Sequence, residues 1–364
     1  MHYTELSTPA LTIDLDVLER NLNRMAELCR RQRVGLRPHM KTHKTPEVAH
    51  MQLDRGALGI TVAKVGEAEV MAGAGLDNLL VAYPIFGADK LRRLASLARG
   101  RKILVSLDHE ATARELSQAA AAQGVTIGVM VEFDAGFRRC GLRPGADCVA
   151  LAKRIDQMPG LKFRGLMTYF GSVWGPHDDR EREAKQVAAE VAKALGAFAE
   201  ERMPVEIVSG GSTPSAEFAG LIPGLTEIRP GTYVYNDLNT YHQGACGIED
   251  CAARVVTTVV SSAVPGKVIL DAGSKTLSSD PLRSGPGTGH GLIVEAPDAP
   301  ITKLNEEHGH VDITKSSHQF RVGEVLTVIP NHVCMCVNMH DEVYLLRQGE
   351  VVGSWQVAAR GKIR

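Results

Sequence analysis

The apolar positions of this chain recur with two periods, and the mixture changes near residue 238. Leu18, Leu22, Met25, Leu28 and Cys29 share one side of a 3.6-residue repeat while Arg20, Arg24, Arg30 and Arg31 lie off it, so residues 18–33 read as an amphipathic helix. Residues 34–37 follow as a short extended run, and Pro38 favours extended backbone in the residue before it. From about residue 16 to residue 237 this alternation repeats. Short apolar runs at 79–82, 103–107, 127–132 and 165–169 are separated by amphipathic stretches such as 111–122 and 180–200, each long enough to cross back over a sheet. The pattern predicts an α/β fold with a parallel sheet, and the number of units suits a (β/α)8 TIM-type barrel, whose chemistry sits on the loops after the strand ends. Beyond residue 238 the texture is β-rich, with runs at 253–264, 267–270, 324–329 and 342–346 and turns at Pro265-Gly266 and Gln348-Gly349. The expected organisation is a barrel over 16–237 and a C-terminal all-β domain over 238–364, with residues 1–15 joining the second.

Composition narrows the class of function. A chain of 364 residues suits two domains, or a barrel with an appendage. Lys plus Arg number 41 against 42 Asp plus Glu, a net charge of -1, which leaves no electrostatic footprint for nucleic acid or an acidic membrane. Small-molecule chemistry is the expectation. The first six residues lack the charged-then-apolar layout of a signal peptide and no apolar run is long enough to span a bilayer, so a cytoplasmic protein is expected. The seven cysteines are scattered and odd in number, which argues against a disulfide framework and for small buried side chains.

Several segments carry chemistry. Residues 37–44 place Lys41 and Lys44 with His39 and His43 where a strand ends, and a lysine at a barrel mouth can bond covalently to an aldehyde; a solvated basic loop would show the same pattern. In residues 208–214 a strand end meets Ser209, Gly210, Gly211, Ser212 and Thr213, glycines and hydroxyls that let backbone N–H groups approach an anion; an ordinary Gly-Ser turn is the plain alternative. Residues 226–237 give a second strand-flanked loop, with Arg229, Gly231, Thr232 and Tyr233, and two such loops on successive units resemble the phosphate site that barrels build late in the chain. A cofactor with both an aldehyde and a phosphate would use the lysine and the cradle together, and pyridoxal 5′-phosphate is the economical candidate. Arg138 and Arg139 follow the 127–132 run; one of them can face the cofactor's phenolate oxygen, while solvation is the plain reading of the other. In residues 328–341, treated as an extended strand, His332 and Cys334 project to one face about 6.6 Å apart and can converge on a metal ion, with Cys336 and His340 sharing the alternation. Imidazole plus thiolate favours zinc, and two protein ligands suit an ion with open positions; a buried cysteine beside an unliganded histidine fits the spacing equally.

Pro38-His39-Met40-Lys41-Thr42-His43-Lys44, the Gly-Gly-Ser-Thr-Pro loop, the 227–237 segment, Glu307-His308-Gly309 and Pro330-Asn331-His332-Val333-Cys334 occur in the order found in the D-threonine aldolase/D-serine dehydratase family, which this chain resembles over nearly its whole length. The resemblance implies an alanine-racemase type of fold, a homodimer, pyridoxal phosphate on Lys41 rather than Lys44, and a divalent metal (Zn, Mn or Mg) on His332 and Cys334. It further implies Arg139 beside the cofactor ring, Arg229 facing the pyridine nitrogen, and Tyr169 near the reacting centre. Some aldolases of the family place a histidine directly after this tyrosine; Phe170 stands there here, leaving His177 as the substitute base. By resemblance the substrate is a D-β-hydroxy amino acid, cleaved between Cα and Cβ as by an aldolase or, alternatively, dehydrated to an oxo acid and ammonia. A racemase, which needs no metal, is the less favoured reading.

Overall fold

The computed structural model describes residues 1–282 and 289–364. They form two compact units, one comprising Met1–Arg24, Thr42–Glu47 and Thr232–Arg360, the other Met25–Lys41, Val48–Gly231 and Gly361–Arg364. The chain opens with β1 (Ala10–Asp14) and α1 (Leu15–Gln32), whose predicted apolar side, Leu18, Leu22, Met25 and Cys29, is buried.

The second unit is the barrel. Its strands are β2 (Gly35–Leu36), β3 (Ile60–Val62), β4 (Asn78–Val81), β5 (Lys102–Leu107), β6 (Ile127–Glu132), β7 (Leu161–Met167), β8 (Ile207–Gly210) and β9 (Glu227–Ile228). Between them run α2 (Pro46–Leu53), α3 (Val65–Gly73), α4 (Ala88–Leu97), α5 (Glu110–Ala122), α6 (Ala146–Asp156) and α7 (His177–Glu200). The strand order is β2-β9-β8-β7-β6-β5-β4-β3, with every pairing parallel. The ring closes just beyond β2, where His39 bridges Thr61 of β3 in parallel and Met40 N–H donates to the Thr61 carbonyl at 2.9 Å. Alternate side chains face inward. Leu80, Leu104, Met130, Met167 and Ile207, from β4 to β8, form one apolar cluster, and two residues further on Ser106, Glu132 and Ser209 begin a polar layer on the same face. The run expected at 165–169 ends as a strand at Met167, opposite Glu132 at the end of β6, leaving Thr168 and Tyr169 on the following loop.

The first unit holds α8 (Leu238–His242), β10 (Ala253–Ser261), β11 (Lys267–Leu270), α9 (Ser274–Leu277), β12 (Leu292–Ile293), β13 (Ile301–Leu304), β14 (Gly309–Asp312), β15 (Val325–Ile329), α10 (Val333–Asn338), β16 (Glu342–Arg347) and β17 (Glu350–Gln356). They build a mixed sheet ordered β13-β14-β11-β10-β1-β16-β17, with β15 also on β10 and β12 on β15. The N-terminal β1 lies inside this sheet, antiparallel to β10 and parallel to β16. One expectation fails here: the extended strand read over 328–341 stops at Ile329, and after Pro330 and Asn331 the chain turns into α10. Among the described residues no disulfide links any of the seven cysteines. Among the described residues no helix is long and apolar enough to cross a membrane.

Gly165 has φ +151, and a Cβ there would overlap the backbone of Ile207 in β8. Gly165→Ala should therefore cost about 3 kcal/mol or more. Gly196, inside α7 with nothing within 4 Å of a Cβ, should gain up to about 1 kcal/mol as alanine. Urea denaturation of the two variants should move the midpoint in opposite directions.

Candidate active site

The closing bridge of the barrel places Lys41. Arg37, His39 and Lys41 share the parity of the inward face, and Lys41 sits exposed in the turn after the bridge, its N–H donating to His39 Nδ1 at 3.3 Å. Arg37 is buried, and its Nε donates to both carboxylate oxygens of Glu227 at 2.8 and 2.9 Å. Ser209 Oγ donates to Glu227 at 2.7 Å, and Arg229 donates to Ser209 Oγ at 2.6 Å and to the Thr168 carbonyl at 2.8 Å. One hydrogen-bonded chain thus joins the ends of β2, β9, β8 and β7. Burial pulls the Arg229 pKa down to about 10, with the Glu227 and Glu132 carboxylates opposing it, so the guanidinium is a cation at neutral pH.

Other candidates lie on the segments that follow the barrel strands. Arg139 lies 4.5 Å from the Tyr169 ring centroid and Tyr169 meets Phe137 edge-on at 5.2 Å; Arg139 and the adjacent Arg138 are both exposed, the latter with φ +57. Gly211 has φ +82, and a Cβ there would stand 3.2 Å from the Ile228 side chain, so the loop requires a glycine. The Ser212 N–H is bound by Ser215 Oγ at 2.8 Å, so the main-chain cradle expected at 208–214 has one of its donors occupied and offers hydroxyls beside it. Gly231 ends the barrel unit's share of the next loop; Thr232 and Tyr233 begin a short 3-10 turn of the other unit. His177, expected as a base, is the exposed first residue of α7, with its Nε2 3.7 Å from Glu217 and its ring 5.2 Å from Phe218.

In the other unit His332 and Cys334 meet by a different geometry from the strand alternation read in the sequence. His332 is the extended N-cap of α10 and Cys334 lies in its first turn. Asp237 Oδ2 accepts the N–H of Val333, the residue between them, at 3.0 Å. His332 Nδ1 lies 2.5 Å from Asp280 Oδ2, and Cys334 Sγ lies 3.1 Å from the buried Thr42 hydroxyl. Burial works against protonating His332, but hydrogen bonds to Cys334 and Asp280 and the charges of Cys334 and Asp237 outweigh it and raise its pKa to about 9. Cys336, which shared the alternation, is buried and donates to the Thr276 carbonyl, and His340 Nδ1 pairs with the Cys336 carbonyl, so both face their own helix surroundings. The buried Lys44 points its Nζ at the Ala359 carbonyl, 3.4 Å away.

Comparison with known proteins decides the family. The family described as "Alanine racemase, N-terminal domain" matches residues 13–239, and the "Putative serine dehydratase domain" matches residues 252–346. A D-threonine aldolase of Arthrobacter sp. is 35% identical over 98% of this chain and 93% of its own. The crystal structure of a D-threonine aldolase from Filomicrobium marinum superposes with TM-score 0.93 at 34% identity, covering 100% of this chain and 98% of that one. The chain belongs to the D-threonine aldolase/D-serine dehydratase family. Within it, the D-threo-3-hydroxyaspartate dehydratase from Delftia sp. HT23 is also similar, with TM-score 0.90 at 31% identity over 98% of both chains, and a cysteine-to-alanine variant of an enzyme of that name is known in a metal-free form. Members of this family are pyridoxal-phosphate-dependent lyases with the alanine-racemase fold.

The residues of this chain fit the family's groups. Thr168 Oγ1 is buried at the barrel mouth with no protein partner, and beside it stand a permanent cation at Arg229, the glycine-dependent turn at Gly211 and an exposed lysine on the inward parity, a donor set matched to a phosphorylated pyridine aldehyde. For the metal, His332 and Cys334 supply a nitrogen and a sulfur, and among the described residues no group of three or more His, Cys, Asp or Glu is placed to enclose an ion. Two protein ligands leave positions for exchangeable ones.

The sequence reading passed over Arg37, Glu227, Glu132, Thr42 and Asp280. Glu132 left one signal, a carboxylate ending an otherwise apolar strand. It accepts from Ser106 Oγ at 3.0 Å and is buried. Asp280 left none, standing 52 residues from His332. Burial raises the Glu132 pKa, against the Ser106 hydrogen bond and the nearby arginines. The folded state therefore holds this proton more tightly than the unfolded one, and stability falls as pH rises from the ordinary value of 4.5 through the folded pKa. Glu132→Gln should raise the melting temperature of cofactor-free protein at neutral pH, by about 1–3 °C, and the gain should vanish near pH 4 in a differential scanning experiment.

Proposed function

We propose that this chain is a metal-assisted lyase that cleaves D-β-hydroxy amino acids between Cα and Cβ, as a D-threonine aldolase does, releasing glycine and an aldehyde. The His332–Cys334 pair carries the reading, because racemisation at Cα has no use for such a site. Whole-chain likeness to D-threonine aldolases supports aldol cleavage in particular. Lys41 is the cofactor lysine, being exposed at the mouth while Lys44 is buried and directed to Ala359. Ser209, Gly211, Ser212, Thr213, Gly231, Thr232 and Tyr233 line the two loops assigned to the phosphate. Arg229, bound to Ser209, would hold the pyridine nitrogen, and Arg139, stacked on Tyr169, would approach the cofactor ring. When bound, pyridoxal phosphate supplies a sink for the electron pair left at Cα, and a divalent ion (Zn, Mn or Mg) on His332 and Cys334 acidifies the β-hydroxyl. His177 Nε2 accepts the β-hydroxyl proton as the Cα–Cβ bond breaks, with Glu217 beside it to favour the protonated ring. Lys41, an ammonium once its amine is released, donates a proton from Nζ to Cα, completing glycine. The working assembly is a homodimer in the cytoplasm.

A second reading, dehydration, is favoured by one observation: the second ligand is a cysteine, and a dehydratase of this family is known in metal-free form as a cysteine-to-alanine variant. In that case Lys41 takes the Cα proton and the β-hydroxyl departs as water.

Incubation with D-threonine, pyridoxal phosphate and a divalent metal separates the two. Glycine with acetaldehyde is the expected product; 2-oxobutanoate with ammonia would make the chain a dehydratase. Lys41→Ala should abolish the visible absorption of lysine-linked cofactor, and retention of the band would move the role to Lys44. His332→Ala and Cys334→Ala should keep that band and lose turnover by about 100-fold or more. His177→Asn should lower kcat by about 100-fold, and an unchanged kcat would assign the proton to Tyr169.

A further inference from the structure

The surroundings of His332 show which ring nitrogen Asp280 occupies. Nδ1 stands 2.5 Å from Asp280 Oδ2. Metal–nitrogen and metal–oxygen bonds are each about 2.0–2.2 Å, so an ion seated between these two atoms would push them well beyond that separation. Nδ1 is a hydrogen-bond donor here, and the lone pair available to an ion is on Nε2. Asp280 is itself fixed. Its N–H donates to Ser278 Oγ at 3.2 Å, and its carbonyl accepts from Asn331 Nδ2 at 3.1 Å. Asn331 adjoins His332 and also reaches the Gly289 carbonyl at 2.7 Å. Ser278 is buried and carries φ +69, so the backbone before Asp280 is held in a conformation that a flexible loop would leave. Two links therefore run from the 278–280 turn to the His332 segment, one through the imidazole and one through the neighbouring amide. On the main-chain side, Asp237 fixes the Val333 N–H.

We infer that Asp280 is the positioning residue for the metal ligand His332: it accepts the hydrogen bond of Nδ1–H, fixes the tautomer and the ring plane, and directs Nε2 to the ion. The inference rests on the metal reading given above. A carboxylate behind a ligating imidazole raises the ligand's basicity and spares the ring the entropy of finding its orientation, and losing such a partner costs 10- to 100-fold in metal affinity as a rough rule.

The test measures Zn2+ affinity of the full-length, cofactor-loaded protein by competition with a chromophoric chelator, and the Co2+ spectrum of the same samples. Asp280→Ala and Asp280→Asn should bind Zn2+ about 10- to 100-fold more weakly, the alanine variant more so. Both should retain the thiolate-to-cobalt absorption of Cys334, the visible cofactor band and the melting temperature of metal-free wild type. Zn2+ affinity within about twofold of wild type would overturn the inference, as would loss of the cofactor band or of thermal stability alongside affinity, which would mark Asp280 as merely structural. Wild-type protein that binds no Zn2+ would instead overturn the metal reading itself, and the Asp280 role with it.

Discussion

The barrel's working end depends on the buried ion pair between Arg37 and Glu227. With side chains 4% and 2% exposed, the two charges have given up nearly all of their hydration, a cost of several kcal/mol per ion that Coulomb attraction offsets only when the remaining donors and acceptors are satisfied. Here they largely are: Arg37 also donates to Asn78 Oδ1 at 2.9 Å, and Glu227 also accepts from Ser209, which accepts from Arg229. An apolar layer of the same volume would match this arrangement for stability. What it would lack is direction. Hydrogen bonds hold β2, β9, β8 and β7 at fixed heights, and a one-residue slip would send each inward side chain to the helix face. Lys41 follows Arg37 by four residues, Ser212 follows Ser209 by three, Gly231 follows Arg229 by two and Tyr169 follows Thr168 directly, so every loop expected to meet the cofactor begins beside a member of this network.

The His332–Cys334 pair, proposed to hold the metal, is fixed by a different device. A strand would hold two ligands apart by its pleat, with only side-chain torsions to bring them together. A helix start does more: the extended N-cap residue and the first-turn residue lie on either side of a free backbone N–H, and a single carboxylate on that N–H sets the backbone of both. Asp237 is this carboxylate, and it also caps α8 by accepting from Thr240 N–H at 2.9 Å. Its burial raises its own pKa, which the N–H donors from Thr240 and Val333 counter. The side chains then have separate partners, Asp280 for His332 and Thr42 for Cys334.

Much of this was legible in the chain. Helix and strand periods located α1, α5, α7, β5, β6, β10, β11, β15 and β16 within a few residues, because each is long or strongly patterned. Of the two-residue strands, β2 falls in the extended run read before Pro38, whereas β9 and β12 carry too few positions to show a period and are defined by pairing with distant strands. The 328–341 segment failed for a related reason. Val333, Cys334, Met335, Cys336 and Val337 have side chains that suit a strand or a buried helix equally, and the Asp237 carboxylate that settles the matter is 96 residues away. Candidate residues with unusual local company, Lys41 and Gly211 among them, stood out in sequence, while the partners that orient them are ordinary polar residues whose meaning is positional.

Phe170 shows how packing constrains chemistry at the reacting end. It is 2% exposed, and a Cβ at Gly210 would enter its ring. Gly171 plays the same part for Tyr169 and Phe137, since a Cβ there would run into both rings. Two glycines thus clear space for three aromatic rings on the loops after β6 and β7, with Arg139 over the Tyr169 face. A histidine in place of Phe170 would bury two ring nitrogens in an apolar slot, at a cost of a few kcal/mol unless both found partners. The residue that directly follows the tyrosine is therefore committed to packing in this chain. The base proposed in its stead, His177, is exposed beside Glu217 and is under no such packing constraint.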